Sequence, residues 1–285
     1  MRDQAESLRQ LARAAGRLAR RARVVTVTSG KGGVGKTNLS VNLGIALVRQ
    51  GLRVAVVDAD LGLANVDIVL GVDPHRTLAD LLYDDHSVED VLIDASGGLK
   101  VLAGASGVHQ LASLPAVEMR RLLQHIERLD SLFDVILIDT GAGIGPNVIN
   151  FALASEEVFV VTTTDPSALA DAYAVIKVVT LRQGAPRLRV IVNMAPNAAE
   201  GQATFRRLQA ATERFLGFKP ELLGIVPRDE AVYRAAVRQI PFVLASPSVA
   251  ASQAVEAMAR RIAGAPEVEV TGLGGLLRRL LKLSR

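Results

Sequence analysis

The chain contains no cysteine among its 285 residues. Disulfides and thiolate-bound metals are therefore excluded. It also lacks any run of about 20 consecutive apolar residues, so no helix that crosses a bilayer is expected. No apolar stretch follows the basic Arg20-Arg21 pair as a secretory leader would require, and the expected location is the cytoplasm. No internal repeat is visible. At this length the chain can bury one substantial α/β core.

Charge is unevenly placed. Residues 1–23 hold seven arginines against Asp3 and Glu6, a net of +5, and residues 272–285 hold Arg278, Arg279, Lys282 and Arg285 with no acid, a net of +4. Because the whole chain carries +4, residues 24–271 carry −5. Two basic tails flank an acidic body. That distribution disfavours a nucleic-acid-binding face spread over the body, and no specific nucleic-acid partner is expected.

Gly30-Lys31-Gly32-Gly33-Val34-Gly35-Lys36-Thr37 fits the phosphate-loop pattern G-x-x-x-x-G-K-[ST], with an additional lysine, Lys31, near its start. The apolar run Val24 to Thr28 precedes it and a helical pattern from Leu39 to Val48 follows, which is the context the pattern needs. Glycines let successive backbone N–H groups turn inward onto phosphate oxygens. Lys36 would neutralise the β- and γ-phosphates, the Thr37 hydroxyl would reach Mg²⁺, and the helix N-terminus adds partial positive charge. Two further buried strands end in carboxylates: Val54 to Val57 before Asp58-Ala59-Asp60, and Val135 to Ile138 before Asp139. Strand-end carboxylates beside a phosphate loop supply the negative charge that Mg²⁺ and an attacking water need. Thr140, not glutamate, follows Asp139, so a neighbouring base is missing there and Asp60 becomes the candidate to orient water.

Apolar runs without period-2 alternation, at 24–28, 53–58, 99–102, 135–139, 158–163, 188–193 and 222–226, indicate strands buried on both faces and hence a mainly parallel sheet. Helices are expected at about 38–50, 77–83, 116–129, 146–154, 167–182, 200–216 and 248–263. The βαβα order with a phosphate loop after the first strand predicts a doubly wound α/β fold.

Gly30 to Thr37 with Lys31, then Asp58-Ala59-Asp60 and Asp139, resemble the deviant-Walker ATPases of the MinD/ParA class, P-loop NTPases of the SIMIBI type. The resemblance runs from residue 24 to about 262. It implies that ATP is held between two subunits of a homodimer, that Lys31 crosses to the partner's phosphates, and that Asp60 activates water. It also implies that Asn193 and Pro227, at the ends of Val190-Ile191-Val192 and Gly224-Ile225-Val226, border the adenine, and that Asp165 and Asp171 stand near the ribose and Lys31. The absence of cysteine removes the iron–sulfur relatives of this class. The expected catalytic residues are then Asp60, Lys31 and Lys36. ATP would be bound by Gly30, Lys31, Gly32, Gly33, Val34, Gly35, Lys36, Thr37, Asn193, Pro227 and Asp165. Mg²⁺ would fall to Thr37, Asp139 and Asp58.

The tails divide the chain into an N-terminal segment (1–23), an ATPase domain (24–263) and a linker with a C-terminal helix (264–285). At about 100° per residue, Leu273, Leu276, Leu277, Leu280, Leu281 and Leu283 fall within an arc of roughly 160°, with Arg278, Arg279, Lys282 and Arg285 opposite. A short basic amphipathic helix reads as an anchor for the anionic cytoplasmic face of the inner membrane through Leu276, Leu277, Leu280 and Leu281. The alternative is a terminal helix docked on the body's own core. The N-terminal segment begins Asp3-Gln4-Ala5-Glu6-Ser7-Leu8-Arg9, which is similar to the activator motif of the FlhG (FleN or YlxH) branch of the same class. That resemblance implies stimulation of a partner GTPase of the FlhF type through Asp3, Gln4, Leu8 and Arg9, with a flagellar switch-ring protein or transcription regulator as a further candidate partner. Asp3 with Glu6 also reads as a plain capping box. The expected function is a peripheral membrane ATPase that regulates flagellar number and placement. A MinD-type regulator of the division site, a ParA-type partitioning ATPase and a nucleotide-holding scaffold are the alternatives.

Overall fold

The computed structural model describes residues 21–60, 66–72, 76, 80, 87–103, 125, 128–182, 186–265 and 271–283. The β-branched apolar runs form β1 (Arg23–Ser29), β2 (Val54–Ala59), β3 (Leu92–Asp94), β4 (Lys100–Leu102), β5 (Val135–Ala142), β6 (Glu157–Thr162), β7 (Arg187–Ala195) and β8 (Glu221–Pro227). Among the described residues they make one eight-stranded sheet in the order β3-β4-β2-β5-β1-β6-β7-β8. Every pairing is parallel except β3 with β4. The helices are α1 (Lys36–Arg49), α2 (Val66–Leu70), α3 (Val88–Val91), α4 (Pro146–Ala154), α5 (Pro166–Thr180), α6 (Ala198–Leu216), α7 (Glu230–Val237), α8 (Phe242–Ala245), α9 (Ala250–Ala263) and α10 (Gly272–Leu283). The doubly wound α/β class expected from the sequence is the one observed.

Successive strand residues serve opposite faces. Val25, Val27, Val56, Leu137, Phe159 and Ile191 pack with Leu39 and Leu43 of α1 and Val255 and Met258 of α9. On the other face Val158, Val160, Val190 and Val192 lie under α5 and α6, next to Val175, Ile176, Phe205 and Leu208. Side-chain caps help set several helix starts: Asp165 accepts from the Ser167 amide, Asn197 from Glu200 and Asp229 from Ala231. The antiparallel edge strand β3 and the short α2, α3, α7 and α8 were not anticipated. Elements of three to eight residues show too few periods to be read from spacing. The helices expected at 77–83 and 116–129 fall mostly outside the described residues, as does the segment carrying Asp3, Gln4, Leu8 and Arg9.

The expected C-terminal helix is present as α10, and it is docked. Leu273, Leu276, Leu277 and Leu280 are buried in one cluster with Ala22, Val24, Ala55, Leu129, Phe133, Ile136 and Phe151. The Asp130 carboxylate accepts the Leu273 amide at 2.7 Å and the Gly274 amide at 3.3 Å, occupying free N–H groups at the helix start. Farther along, Arg279 Nε donates to the Ala154 carbonyl at 2.5 Å. The leucines expected to face lipid therefore cover the body in this state, apart from Leu281, whose side chain lies outside the described residues. Among the described residues no helix is long and apolar enough to cross a membrane.

Candidate functional site

The loop after β1 turns into α1 through Gly35, whose φ of 82° is the left-handed conformation that glycine adopts without strain. A side chain at Gly35 would also collide with the Asn193 amide, and one at Gly30 with the backbone of Asp171. These close approaches bring β7 and α5 against the loop.

Lys36 and Asp139 are buried together, with the ammonium 3.0 Å from Asp139 Oδ2. The same carboxylate accepts the Thr37 hydroxyl at 2.7 Å on Oδ2 and the Ser40 hydroxyl at 2.7 Å on Oδ1. Ser40 was not singled out in the sequence, although it lies one helical turn beyond Thr37, the spacing that puts both hydroxyls on one face of α1. Asp58 stands beside Asp139 in the β2–β5 register. Its oxygens accept the amides of Asp60 at 3.0 Å and Val66 at 3.2 Å, so Asp58 braces the chain after β2. Asp139 thus meets the loop's cation and both hydroxyls. The Asp60 carboxylate lies against Gly141, at the end of β5.

Hard oxygen donors from Thr37 and Asp139 suit Mg²⁺, which takes one or two protein ligands and fills the rest of its octahedron with phosphate oxygens and water. Among the described residues no group of three or more His, Cys, Asp or Glu could hold a metal ion. Bound there, Mg²⁺ would neutralise phosphate charge.

Lys31 lies on the exposed side of the loop. Its ammonium contacts the Ser167 hydroxyl and Asp165 Oδ2, the latter at 3.3 Å, and its side chain is 41% exposed. The Ser167 hydroxyl and amide, with Lys31 behind them, hold the Asp165 carboxyl well below its usual range, down to about 2. Asn193 donates from Nδ2 to the Val34 carbonyl at 2.8 Å, which leaves its Oδ1 as an acceptor. It lines a mainly apolar cavity of about 280 Å³ with Gly35, Leu39, Pro227, Arg228 and Tyr233. A second, polar cavity of about 420 Å³ lies beside it, bordered by Lys31, Gly32, Gly33, Thr164, Asp165 and Arg228. Arg228 borders both, and neither it nor Tyr233 belongs to a motif that would have marked it. The structure thus gathers Lys31, Lys36, Thr37, Asp139, Asp165, Asn193 and Pro227 around the loop, and it places Asp60 beside the end of β5.

A phosphate loop on the first strand of a doubly wound sheet, with strand-end carboxylates and an apolar cavity at the helix start, defines a nucleotide-binding α/β protein. Residues 25–242 match the model of the CobQ/CobB/MinD/ParA nucleotide-binding domain, and the chain belongs to that family. It is 42% identical over 239 residues to the antiactivator FleN of Pseudomonas aeruginosa, covering 84% of this chain and 85% of that one. It is 34% identical to the flagellum site-determining protein YlxH of Helicobacter pylori, over 90% and 89% of the two chains. Among solved structures it is similar to the septum site-determining protein MinD of Pyrococcus horikoshii in complex with Mg-ADP. There the TM-score is 0.65 at 27% identity, over 85% of this chain and 96% of the other.

Proposed function

We propose that this protein is an ATPase that dimerises on ATP, associates peripherally with the inner membrane and regulates flagellar number and placement, stimulating a partner GTPase of the FlhF type. The observation that supports nucleotide chemistry is the Lys36–Asp139–Thr37–Ser40 cluster at the loop. The likeness to FleN and YlxH over most of the chain supports the flagellar role. On ATP binding Lys36 exchanges Asp139 for the β- and γ-phosphates, and the amides of residues 32–37 take the phosphate oxygens. Thr37 and Asp139 would hold Mg²⁺, which would neutralise phosphate charge. Lys31, exposed on its side of the loop, would reach a second copy's phosphates in this reading, and Asp60 would orient the attacking water. In the same reading α10 leaves its groove when two copies present two tails to anionic lipid, since paired anchors bind far better than one.

Light scattering with ATP, with ADP and without nucleotide tests the assembly step, and a dimer only with ATP and Mg²⁺ is the expected result. Co-sedimentation with anionic vesicles tests the membrane step. The expectation is ATP-dependent binding that is lost when Leu276 and Leu280 are both replaced by glutamate. A monomer under all conditions, or vesicle binding indifferent to those leucines, would remove the corresponding step. Stimulated GTP hydrolysis by the partner on addition of a peptide of residues 1–23 tests the last part, and no stimulation by peptide or full chain would favour a division-site regulator instead.

A further inference from the structure

The two tails meet. Ala22, the residue before β1, is fully buried and belongs to the same apolar cluster as Leu273, Leu276, Leu277 and Leu280 of α10. Arg21 Nη1 donates to the Thr271 carbonyl, immediately ahead of α10, at 3.3 Å. Thr271 is itself fixed from below. Its amide donates to Glu156 Oε1 at 2.5 Å, its hydroxyl donates to the same oxygen, and Arg279 of α10 returns to the Thr271 hydroxyl at 3.0 Å. The next residue, Arg23, is tied elsewhere: to Glu157 on β6 and, through Nη1, to the Ile262 carbonyl of α9 at 3.1 Å. Its amide also joins the Asp134 carbonyl at 3.0 Å. Arg23 is held by the sheet and α9, whereas Arg21 makes its hydrogen bond to Thr271 at the start of α10. Ala22 packs in the apolar cluster that α10 completes, as does Val24 at the start of β1.

We propose that the groove under α10 is a joint seat for both tails, so that any partner drawing α10 away, an anionic lipid surface above all, also releases the root of the N-terminal segment at Arg21 and Ala22. Docking is reciprocal for the same reason: the root covers part of the groove, and loosening it loosens α10. The coupling depends on these contacts alone. Its consequence, that membrane arrival presents the N-terminal segment to a partner, rests on the proposed function. It would give a protein whose action on that partner is stronger at the membrane than away from it, without any signal passing through the nucleotide site.

The cysteine-free chain allows a direct test. Ala22→Cys places a single thiol at the buried root, close in size to the residue it replaces, and its reaction rate with a soluble thiol reagent reports opening. In the full chain the thiol is expected to react slowly. It should react about tenfold faster or more when Leu276→Glu and Leu280→Glu are added, or when ATP and phosphatidylglycerol-containing vesicles are present. Retained binding of a fluorescent ATP analogue shows that the fold is intact. Equal labelling with α10 docked and released overturns the proposal, because the body alone would then shield residue 22. Vesicle binding without faster labelling removes the coupling and leaves the membrane reading standing. Faster labelling with the glutamates but no vesicle binding by the unaltered tail does the reverse. If Ala22→Cys itself unseats α10, amide hydrogen exchange over residues 20–24 in the otherwise unaltered chain decides, with faster exchange on vesicles expected and unchanged exchange overturning the proposal.

Discussion

Asp139 and Asp130 are both buried acids, 1% and 6% exposed, but their neighbours differ in kind. Asp139 is surrounded by side-chain donors, an ammonium and two hydroxyls. Each of these can rotate away and be replaced by a phosphate or a hydrated cation without moving the backbone. Asp130 accepts two backbone amides of α10. Those donors cannot leave unless the helix leaves. Burial pushes the Asp130 carboxyl upward, while the two amides and the nearby Arg21 pull it down and Glu156 adds to the rise. One end of the molecule is therefore built to change by exchange of side-chain partners, and the other by movement of a whole element.

The largest effect should come from Lys36→Ala. It leaves Asp139 charged and buried without its cation, a change that typically destabilises by about 3–5 kcal/mol. It also removes the charge meant for the phosphates. ATP affinity should fall by about ten- to a hundredfold, the worth of a hydrogen bond to a charged group, measured by titration of a fluorescent analogue, while α10 stays docked. Unaltered affinity would break the side-chain-exchange half of the comparison. Asp60→Ala should lower turnover by about 10²–10⁴-fold, the usual worth of a group that moves or orients a proton. Binding should persist, so ATP-bound dimer should accumulate in light scattering. A monomer at saturating ATP would mean that Asp60 acts in assembly instead.

Leu277→Ala addresses the other end. The side chain is 3% exposed, and truncating such a leucine costs about 2–5 kcal/mol. The loss should appear as easier undocking of α10, read as faster amide hydrogen exchange over residues 272–283 without vesicles, with nucleotide affinity unchanged. A fall in nucleotide affinity equal to the fall in melting temperature would instead make α10 an ordinary core helix.

The phosphate loop, the strand-end aspartates and the parallel sheet were legible because each is local: Gly35, Lys36 and Thr37 are adjacent, and buried strands announce themselves as apolar runs. Asn193 and Pro227 lie at the ends of separate strands and were placed only through the family resemblance. Ser167, which holds Lys31, and Arg228, between the two cavities, were missed because nothing in their immediate sequence distinguishes a first-turn serine or a loop arginine from others. The amphipathic pattern of α10 was legible, but not what covers it. A leucine stripe looks the same whether it meets lipid or Phe133 and Phe151, and the acceptors that seat it, Asp130 and Glu156, lie more than a hundred residues away in sequence.

Asp130→Asn should sharpen the contrast at moderate size. Asparagine can still accept the Leu273 amide but carries no charge to desolvate. The wild-type carboxyl is raised in the folded protein, so the stabilisation it lends to folding is fully present below its unfolded value and is lost as pH rises through the folded one. Stability of the wild type should thus gain from this group as pH falls from 7 toward 4, read as melting temperature, and Asp130→Asn should remove that part of the profile. A profile unchanged by the substitution would assign the pH dependence to another group.

The smallest effect is expected at Asp165, on the exposed side of the nucleotide end. Asp165→Asn keeps an oxygen to cap the Ser167 amide while removing the charge that faces Lys31. An ion pair so open to water is screened and contributes little, so Lys31 should be freed only slightly, with ATP-dependent dimer formation changed by less than about threefold. The direction should be toward easier assembly, because the ammonium would no longer be held against its own chain. The sign with pH follows from the depressed carboxyl at about 2: its contribution is present above the ordinary value of 3.8 and is lost only as pH falls toward 2. Between pH 5 and 8 this pair should leave no slope in dimerisation. Harder assembly in Asp165→Asn would show that the carboxylate aims Lys31 rather than restraining it, and would make this pair, like the Lys36–Asp139 cluster, part of the exchange that nucleotide sets off.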